Sequence, residues 1–258
     1  MRALVVALAI LLLTPPLGIL VILASLVGVR DRPNGVYQWA ARTWARGVSA
    51  AAGMKIEVHG AEYAPAAEPR VYVSNHTSWF DIFALAAVLR NYTFIAKAEL
   101  GRFFIFGPAA RAVGIVFIER ENRKAAFESY KDAAAKVRAG KSVIVCPEGT
   151  RGYDYSLRPF KKGPFVLAIA AGVPIVPTIV YGVIEVQRKG QFAVHSGTAR
   201  VHFLPPVATT GYTYEQRDEL MRIVWQRMAD ALHDLYGVES PNPPIATAGR
   251  SAIPTSFL

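Results

Sequence analysis

Asn75-His76-Thr77-Ser78-Trp79-Phe80-Asp81 is preceded by a β-branched run, Val71-Tyr72-Val73, and followed by an apolar run from Ile82 to Leu89. That order predicts a strand, a tight turn and a helix. In open α/β sheets ligands sit at the carboxyl ends of strands, so His76 falls where such folds carry out chemistry. Asp81 follows about one helical turn later. Its carboxylate is placed to accept the Nδ1 proton and fix the tautomer, leaving Nε2 as a general base. The motif has no nucleophile of its own, which points to a substrate hydroxyl as the attacking group. A second reading stands beside this one. Ser78-x-x-Asp81 also fits a capping box with Ser78 as N-cap, and His76 is then a turn histidine.

Three further blocks follow: Gly114-Ile115-Val116-Phe117-Ile118-Glu119-Arg120, Cys146-Pro147-Glu148-Gly149-Thr150-Arg151 and Val173-Pro174-Ile175-Val176-Pro177. Read for themselves, the first is a strand that delivers Glu119 and Arg120 at its end. In the second, the strand Ser142–Val145 runs into a loop where Gly149 lets a ligand approach the backbone. Arg151 offers a phosphate the fork that lysine lacks. Arg158, Lys161 and Lys162 follow in the same loop region, making it the best anion-binding candidate in the chain. The alternative for this loop is a solvated basic surface. Lys97 ends the strand Thr93–Ala96 much as His76 follows its own. It either faces an anionic substrate or caps the strand.

Together the four blocks resemble, in order, the motifs of the glycerolipid acyltransferases, in particular the bacterial 1-acylglycerol-3-phosphate O-acyltransferases (lysophosphatidic acid acyltransferases). Residues 75–81 match the His-x4-Asp motif, and the likeness runs over about residues 55 to 205. Two positions depart from it: Glu119 where Asp is common, and Cys146 where Phe is usual. The resemblance implies that His76 and Asp81 are catalytic and that Glu148, Gly149, Thr150, Arg151 and Arg120 bind the glycerol phosphate. It implies an acyl-CoA or acyl carrier protein donor as co-substrate, no metal and no cofactor. It places the fourth block near the donor, although as plain sequence that block reads as support for the fold.

The 258 residues hold one large α/β domain and small extras, with 52% hydrophobic residues and a formal net charge of +10. A basic balance suits an anionic partner: nucleic acid, an acidic membrane or a phosphorylated substrate. The single cysteine, Cys146, excludes an intrachain disulfide, and no Cys/His cluster has structural zinc spacing.

Ala3 to Val29 carries no charge and is long enough to cross a bilayer. Pro15-Pro16 is expected to split it, giving either a kinked single span or a re-entrant helical hairpin. Arg30, Arg32, Arg42 and Arg46 follow, which makes that side cytoplasmic. The apolar stretch is too long for a signal-peptide core, so it reads as an uncleaved anchor in the inner (cytoplasmic) membrane. Asn34 to Ala52 reads as a helix with Tyr37, Trp39 and Trp44 among arginines, suited to an interface or to ordinary packing.

Arg102-Phe103-Phe104-Ile105-Phe106-Gly107-Pro108 places three phenylalanines in four residues, to line an acyl tunnel, touch a membrane or pack a core. Arg123 to Arg138 reads as a helix closed by Gly140. Gly140-Lys141-Ser142 is not a P-loop, because position 135 is Ala and a strand follows. Phe165 to Ala171 is a helix and Ile175 to Tyr181 a buried strand that Pro174 and Pro177 should make irregular or an edge. Gln191–His195 and Ala199–Leu204 are expected to pair as a hairpin about Ser196-Gly197. His195 and His202 have no visible partner. Thr213 to Tyr236 is a long amphipathic helix.

The fold expected is α/β, a mixed, largely parallel central sheet flanked by helices, with an N-terminal membrane-associated helical segment. Residues 1–52 form that anchor, 53–239 the acyltransferase domain, and 240–258 a disordered tail. The function expected is transfer of an acyl group to the sn-2 hydroxyl of lysophosphatidic acid, with a lysophospholipid acceptor, a membrane partner through residues 1–52 and no nucleic acid. Another lysolipid, such as a lyso-ornithine lipid, is the alternative acceptor. A lipid hydrolase would need a serine nucleophile, and no Gly-x-Ser-x-Gly elbow occurs. A non-catalytic basic protein that binds membranes or nucleic acid is the remaining rival.

Overall fold

A computed structural model describes residues 1–119 and 122–241. In chain order its elements are α1 (Arg2–Leu26), α2 (Val36–Ala51), β1 (Met54–His59), β2 (Val71–Ser74), α3 (Phe80–Val88), β3 (Tyr92–Lys97), α4 (Phe106–Ala112), β4 (Val116–Ile118), α5 (Arg123–Arg138), β5 (Ser142–Val145), α6 (Gly163–Ala171), β6 (Ile175–Tyr181), α7 (Val183–Val186), β7 (Gly197–Phe203) and α8 (Arg217–Tyr236).

The Val71–Val73 run becomes the middle of the sheet, whose strand order is β1-β7-β6-β2-β5-β3-β4. All neighbours are parallel except β6 and β7. Central strands of a sheet covered on both faces read as unbroken apolar runs, and β2 and β5 are buried at every residue. Alternate side chains serve opposite faces. Tyr72, Ile144, Val176 and Val180 join the core under α2 and α3. Val71, Val73, Val143, Val145, Ile175 and Ile179 join the core under α5, α6 and α8.

Two expectations are corrected here. β6 is neither an edge nor a ragged strand: it lies between β2 and β7. Pro177 pairs with Val73 on the β2 side and offers only its carbonyl to Leu204 on the other. The β6–β7 ladder stops at the Thr178–Phe203 pair, so the missing proline N–H falls where no partner needs it. The expected hairpin about Ser196-Gly197 does not form. Residues 191–196 have no strand, because both edges of β7 are already taken, by β1 in parallel and β6 in antiparallel.

Pro15 and Pro16 do not split the N-terminal stretch either, which removes the re-entrant hairpin. α1 is one helix of 25 residues with both prolines inside, about 37 Å long. Prolines at 15 and 16 forfeit bonds to the carbonyls of residues 11 and 12, and Leu11 and Leu12 lie on its exposed side. Contacts with the body hold the helix through that point. The Arg2 guanidinium bonds the Ala52 carbonyl at 3.3 Å. Trp44 Nε1 donates to Thr14 Oγ1 at 3.0 Å. Val21 and Ala24 pack with Tyr37, Ala40 and Ala109, and just past the helix Tyr37 donates to the Val29 carbonyl. α1 therefore lies along the protein instead of projecting from it, and leaves Leu4, Leu8, Leu11, Leu12, Leu23 and Leu26 exposed.

The long C-terminal helix starts later than the expected Thr213: Thr213 forms its capping box with Gln216 on a 3-10 turn over Tyr214–Gln216, and α8 follows from Arg217 and ends at Gly237 with φ 64°. Ser240, assigned to the tail, accepts the Leu157 N–H at 3.0 Å. The rest of the expected tail, 242–258, lies outside the described residues.

Candidate active site

The turn after β2 is fixed by side chains that finish what the strand ladder begins. The Asn75 amide donates to the Val180 carbonyl at 3.0 Å and accepts the Val180 N–H at 2.8 Å. Ser78 Oγ donates to the Gln187 carbonyl. Asp81, in the first turn of α3 and with no exposed surface, gathers the rest. Its Oδ2 accepts the N–H of Thr77 at 2.7 Å and of Ser78 at 2.9 Å, and lies 2.8 Å from His76 Nδ1. From the first turn of α3, Asp81 thus reaches back to the Ser78 N–H in the manner of a capping box and lies beside the His76 imidazole.

His76 is held by its backbone as well. Its N–H donates to Glu148 Oε1 at 3.1 Å, and its carbonyl accepts the Gly152 N–H at 2.7 Å. The Glu148-Gly149-Thr150-Arg151 loop therefore lies directly beside it. Glu148 is buried; burial, reinforced by the Asp81 charge, pushes its carboxyl up to about 8. It is aimed at the His76 backbone, which is a different placement from the phosphate contact implied by resemblance. Gly149 sits at φ 74°, in the left-handed region that favours glycine.

His76 lines a cavity of about 370 Å³ on the α1–α3 side of the sheet. Thr150, Arg151 and Lys97 give it a polar end; Val21, Trp44, Phe83, Ala86, Phe94, Phe106 and Ala110 line the remainder. The Arg151 guanidinium lies 4.9 Å from the centre of the Trp79 ring, a cation–π contact. Its carbonyl accepts from Lys189 Nζ at 2.7 Å. Burial lowers the Arg151 pKa from its ordinary value, and an arginine so shifted still carries its charge at neutral pH. Lys97 also reaches the cavity, but its Nζ is paired with Glu99 at 2.7 Å, both side chains half exposed. Glu119 is exposed at the end of β4, and Arg120 lies outside the described residues.

The backbone N–H groups of residues 76–78 are not free to stabilise an oxyanion: all three are bonded to carboxylates. Sequence reasoning also missed Trp79 and Lys189 as partners of Arg151, since nothing local marks either. His202 does have partners. Its Nε2 lies 2.6 Å from the Tyr236 hydroxyl and its ring stacks on His59 at 4.4 Å, away from the cavity.

Set beside known proteins, residues 55–181 match the family model described as Acyltransferase. A 1-acyl-sn-glycerol-3-phosphate acyltransferase of Limnanthes alba is 32% identical over 203 residues, covering 77% of this chain and 69% of the relative. The chain belongs to the glycerolipid acyltransferase family. A chloroplastic acyltransferase of the same name from Brassica napus is 34% identical over 66% of this chain, which spans about half (50%) of that relative's length. The crystal structure of the 1-acyl-sn-glycerophosphate (LPA) acyltransferase PlsC from Thermotoga maritima superposes with a TM-score of 0.77 at 25% identity, covering 93% of this acyltransferase chain and 97% of that one.

Proposed function

We propose that this chain acylates lysophosphatidic acid at its sn-2 hydroxyl, taking the acyl group from acyl-CoA or acyl carrier protein and giving phosphatidic acid. The observation that carries the reading is the His76–Asp81 pair at the polar end of an apolar cavity that also receives Arg151. Nε2 of His76 removes the hydroxyl proton as the oxygen attacks the thioester carbonyl. The tetrahedral intermediate collapses, the C–S bond breaks, and the imidazolium returns its proton to the leaving thiolate. Asp81 stabilises the imidazolium meanwhile. General-base help of this kind is worth about 10² to 10⁴ in rate, and holding both substrates in place supplies much of the remainder.

Arg151 and Thr150, with Lys97 and Arg120, are the groups for the glycerol phosphate, and Gly149 gives it room. Glu148, largely protonated near neutral pH by its raised pKa, then adds little repulsion and serves to hold the His76 backbone. The apolar cavity suits a fatty acyl chain. The exposed leucines of α1 support residues 1–52 as an anchor lying in one leaflet of the inner (cytoplasmic) membrane, with residues 53–239 as the catalytic domain. The arginines that follow α1 support a cytoplasmic active site. The test is purified protein with labelled acyl-CoA and, side by side, lysophosphatidic acid and a phosphate-free lysolipid, for the parent and His76→Ala. Acylation of the phosphate-bearing acceptor by the parent alone is expected. Equal use of the phosphate-free acceptor would overturn the role of Arg151, and activity in His76→Ala would overturn the mechanism.

A further inference from the structure

Phe103 and Phe104 are 61% and 91% exposed, an expensive arrangement for two adjacent aromatic side chains in water. Their position gives the exposure a meaning. The next residue, Ile105, packs against the middle of α1: a methyl group added at Gly18 would lie 2.8 Å from Ile105 Cγ2. Beside Gly18, Ile19 and Leu20 are exposed on α1. Phe106, two residues beyond Phe104, already lines the cavity, as does Lys97 before the loop. The two phenylalanines therefore continue the exposed apolar row of α1 across to the mouth of the cavity.

The surrounding charge selects the occupant. Arg102, Arg111 and Lys97 are exposed around the pair, with Glu99 as the one acid between 97 and 111. The α1–α2 connection adds Arg30 and Arg32, while its Asp31 is paired with Lys141. Aromatic rings flanked by arginines suit the level of anionic headgroups. A second copy of the chain would bring the same cations against themselves in a two-fold interface.

We propose that the Phe103–Phe104 loop is a second membrane contact, remote in sequence from α1, which enters an anionic bilayer and holds the cavity mouth at the lipid surface. It rests on the membrane reading given above.

Two measurements on the full-length chain test it. In Phe104→Cys on a Cys146→Ser background, an environment-sensitive fluorophore at 104 is exposed to vesicles containing phosphatidylglycerol and brominated lipid. Quenching is expected, and it should weaken in vesicles of phosphatidylcholine alone. In Phe103→Ser/Phe104→Ser, turnover of acceptor embedded in vesicles should fall about ten-fold or more, as befits the loss of two inserted rings. Turnover of water-soluble short-chain substrates should stay at the parent's level. Leu235→Ala, on the far face of the sheet in α8, should change neither. A fluorophore that remains in water overturns the proposal, as does equal loss with both substrate forms, or loss of self-association in the double variant without quenching. If the parent transfers no acyl group at all, the proposed activity fails while the quenching still reports the contact.

Discussion

Glu148 Oε1 accepts the backbone N–H of His76 across 72 residues of sequence, at 3.1 Å. That bond makes the Glu148–Arg151 loop and the imidazole turn one mechanical unit. With the Gly152 N–H returning to the His76 carbonyl, a displacement of the loop that carries Arg151 must displace the base as well. The His76 turn and the Arg151 loop are thereby coupled through backbone.

The same carboxyl predicts a pH dependence of stability. Burial raises it from 4.5 to about 8. Between those values the folded protein holds a proton that the unfolded chain has released, so stability falls as pH rises through the window and is unaffected below it. Glu148→Gln keeps a carbonyl acceptor for His76 and removes the titration. Thermal unfolding of the parent should drop relative to Glu148→Gln between about pH 5 and about pH 9, by on the order of a few kcal/mol, and the two should converge at acid pH. A gap independent of pH would show that the carboxyl ionises freely in the fold.

Asp81 separates two effects that a single alanine would confuse. Asp81→Asn can keep an amide oxygen at the Oδ2 position, which the Thr77 and Ser78 N–H groups and His76 Nδ1 all share, but it loses the negative charge that stabilises an imidazolium. Its kcat should fall about 10² to 10⁴-fold with little change in KM or unfolding temperature. Asp81→Ala should lose the same activity and also stability, since two buried N–H groups lose their acceptor at about 1–3 kcal/mol each. His76→Ala should be inactive at near-parental stability. Steady-state kinetics paired with calorimetry distinguishes the three.

The parts of this molecule that were legible in advance are those whose cause is local. The step from Val71–Val73 to the helix at Phe80 is written in seven residues, and α5 and β5 have the bounds that their periodicity suggested. What failed depends on partners distant in sequence. Pro177 reads as an edge signal until Thr178 is seen to begin the β6–β7 ladder just beyond it. Pro15-Pro16 reads as a break until Trp44 and Ile105 are seen holding α1 on either side. At the site, His76 and Asp81 are five residues apart and were legible together. Trp79 against Arg151, and Glu148 under His76, are pairs joined only by the topology of the sheet.

Arg151 and Trp79 should act on the acceptor and spare the chemistry. Arg151→Lys retains a charge but gives up the fork and the stack on Trp79. Its KM for lysophosphatidic acid should rise about ten-fold with kcat nearly retained, the signature of uniform binding lost. Trp79→Leu removes the cation–π contact alone, worth about 0.5–1 kcal/mol at a partly exposed site, and should raise KM about two- to five-fold. A fall in kcat with constant KM in either variant would assign these residues to the transition state instead.

Ala86 tests where the acyl chain lies. It is buried on the cavity side of α3, six residues beyond Phe80, so its methyl sits about 9 Å along the helix from the turn that carries His76. A leucine there meets open cavity instead of packed core, and the overpacking cost of about 1–3 kcal/mol seen in filled interiors should be largely avoided. Ala86→Leu should therefore fold normally and lose kcat/KM for long-chain acyl-CoAs by about ten-fold, the tenfold step that 1.4 kcal/mol of lost contact represents, while short-chain donors react as before. Competition among donors of graded length in one reaction reads this ratio directly. If parent and variant rank the donors identically, the acyl chain does not pass α3, and the apolar cavity holds something other than the reacting chain.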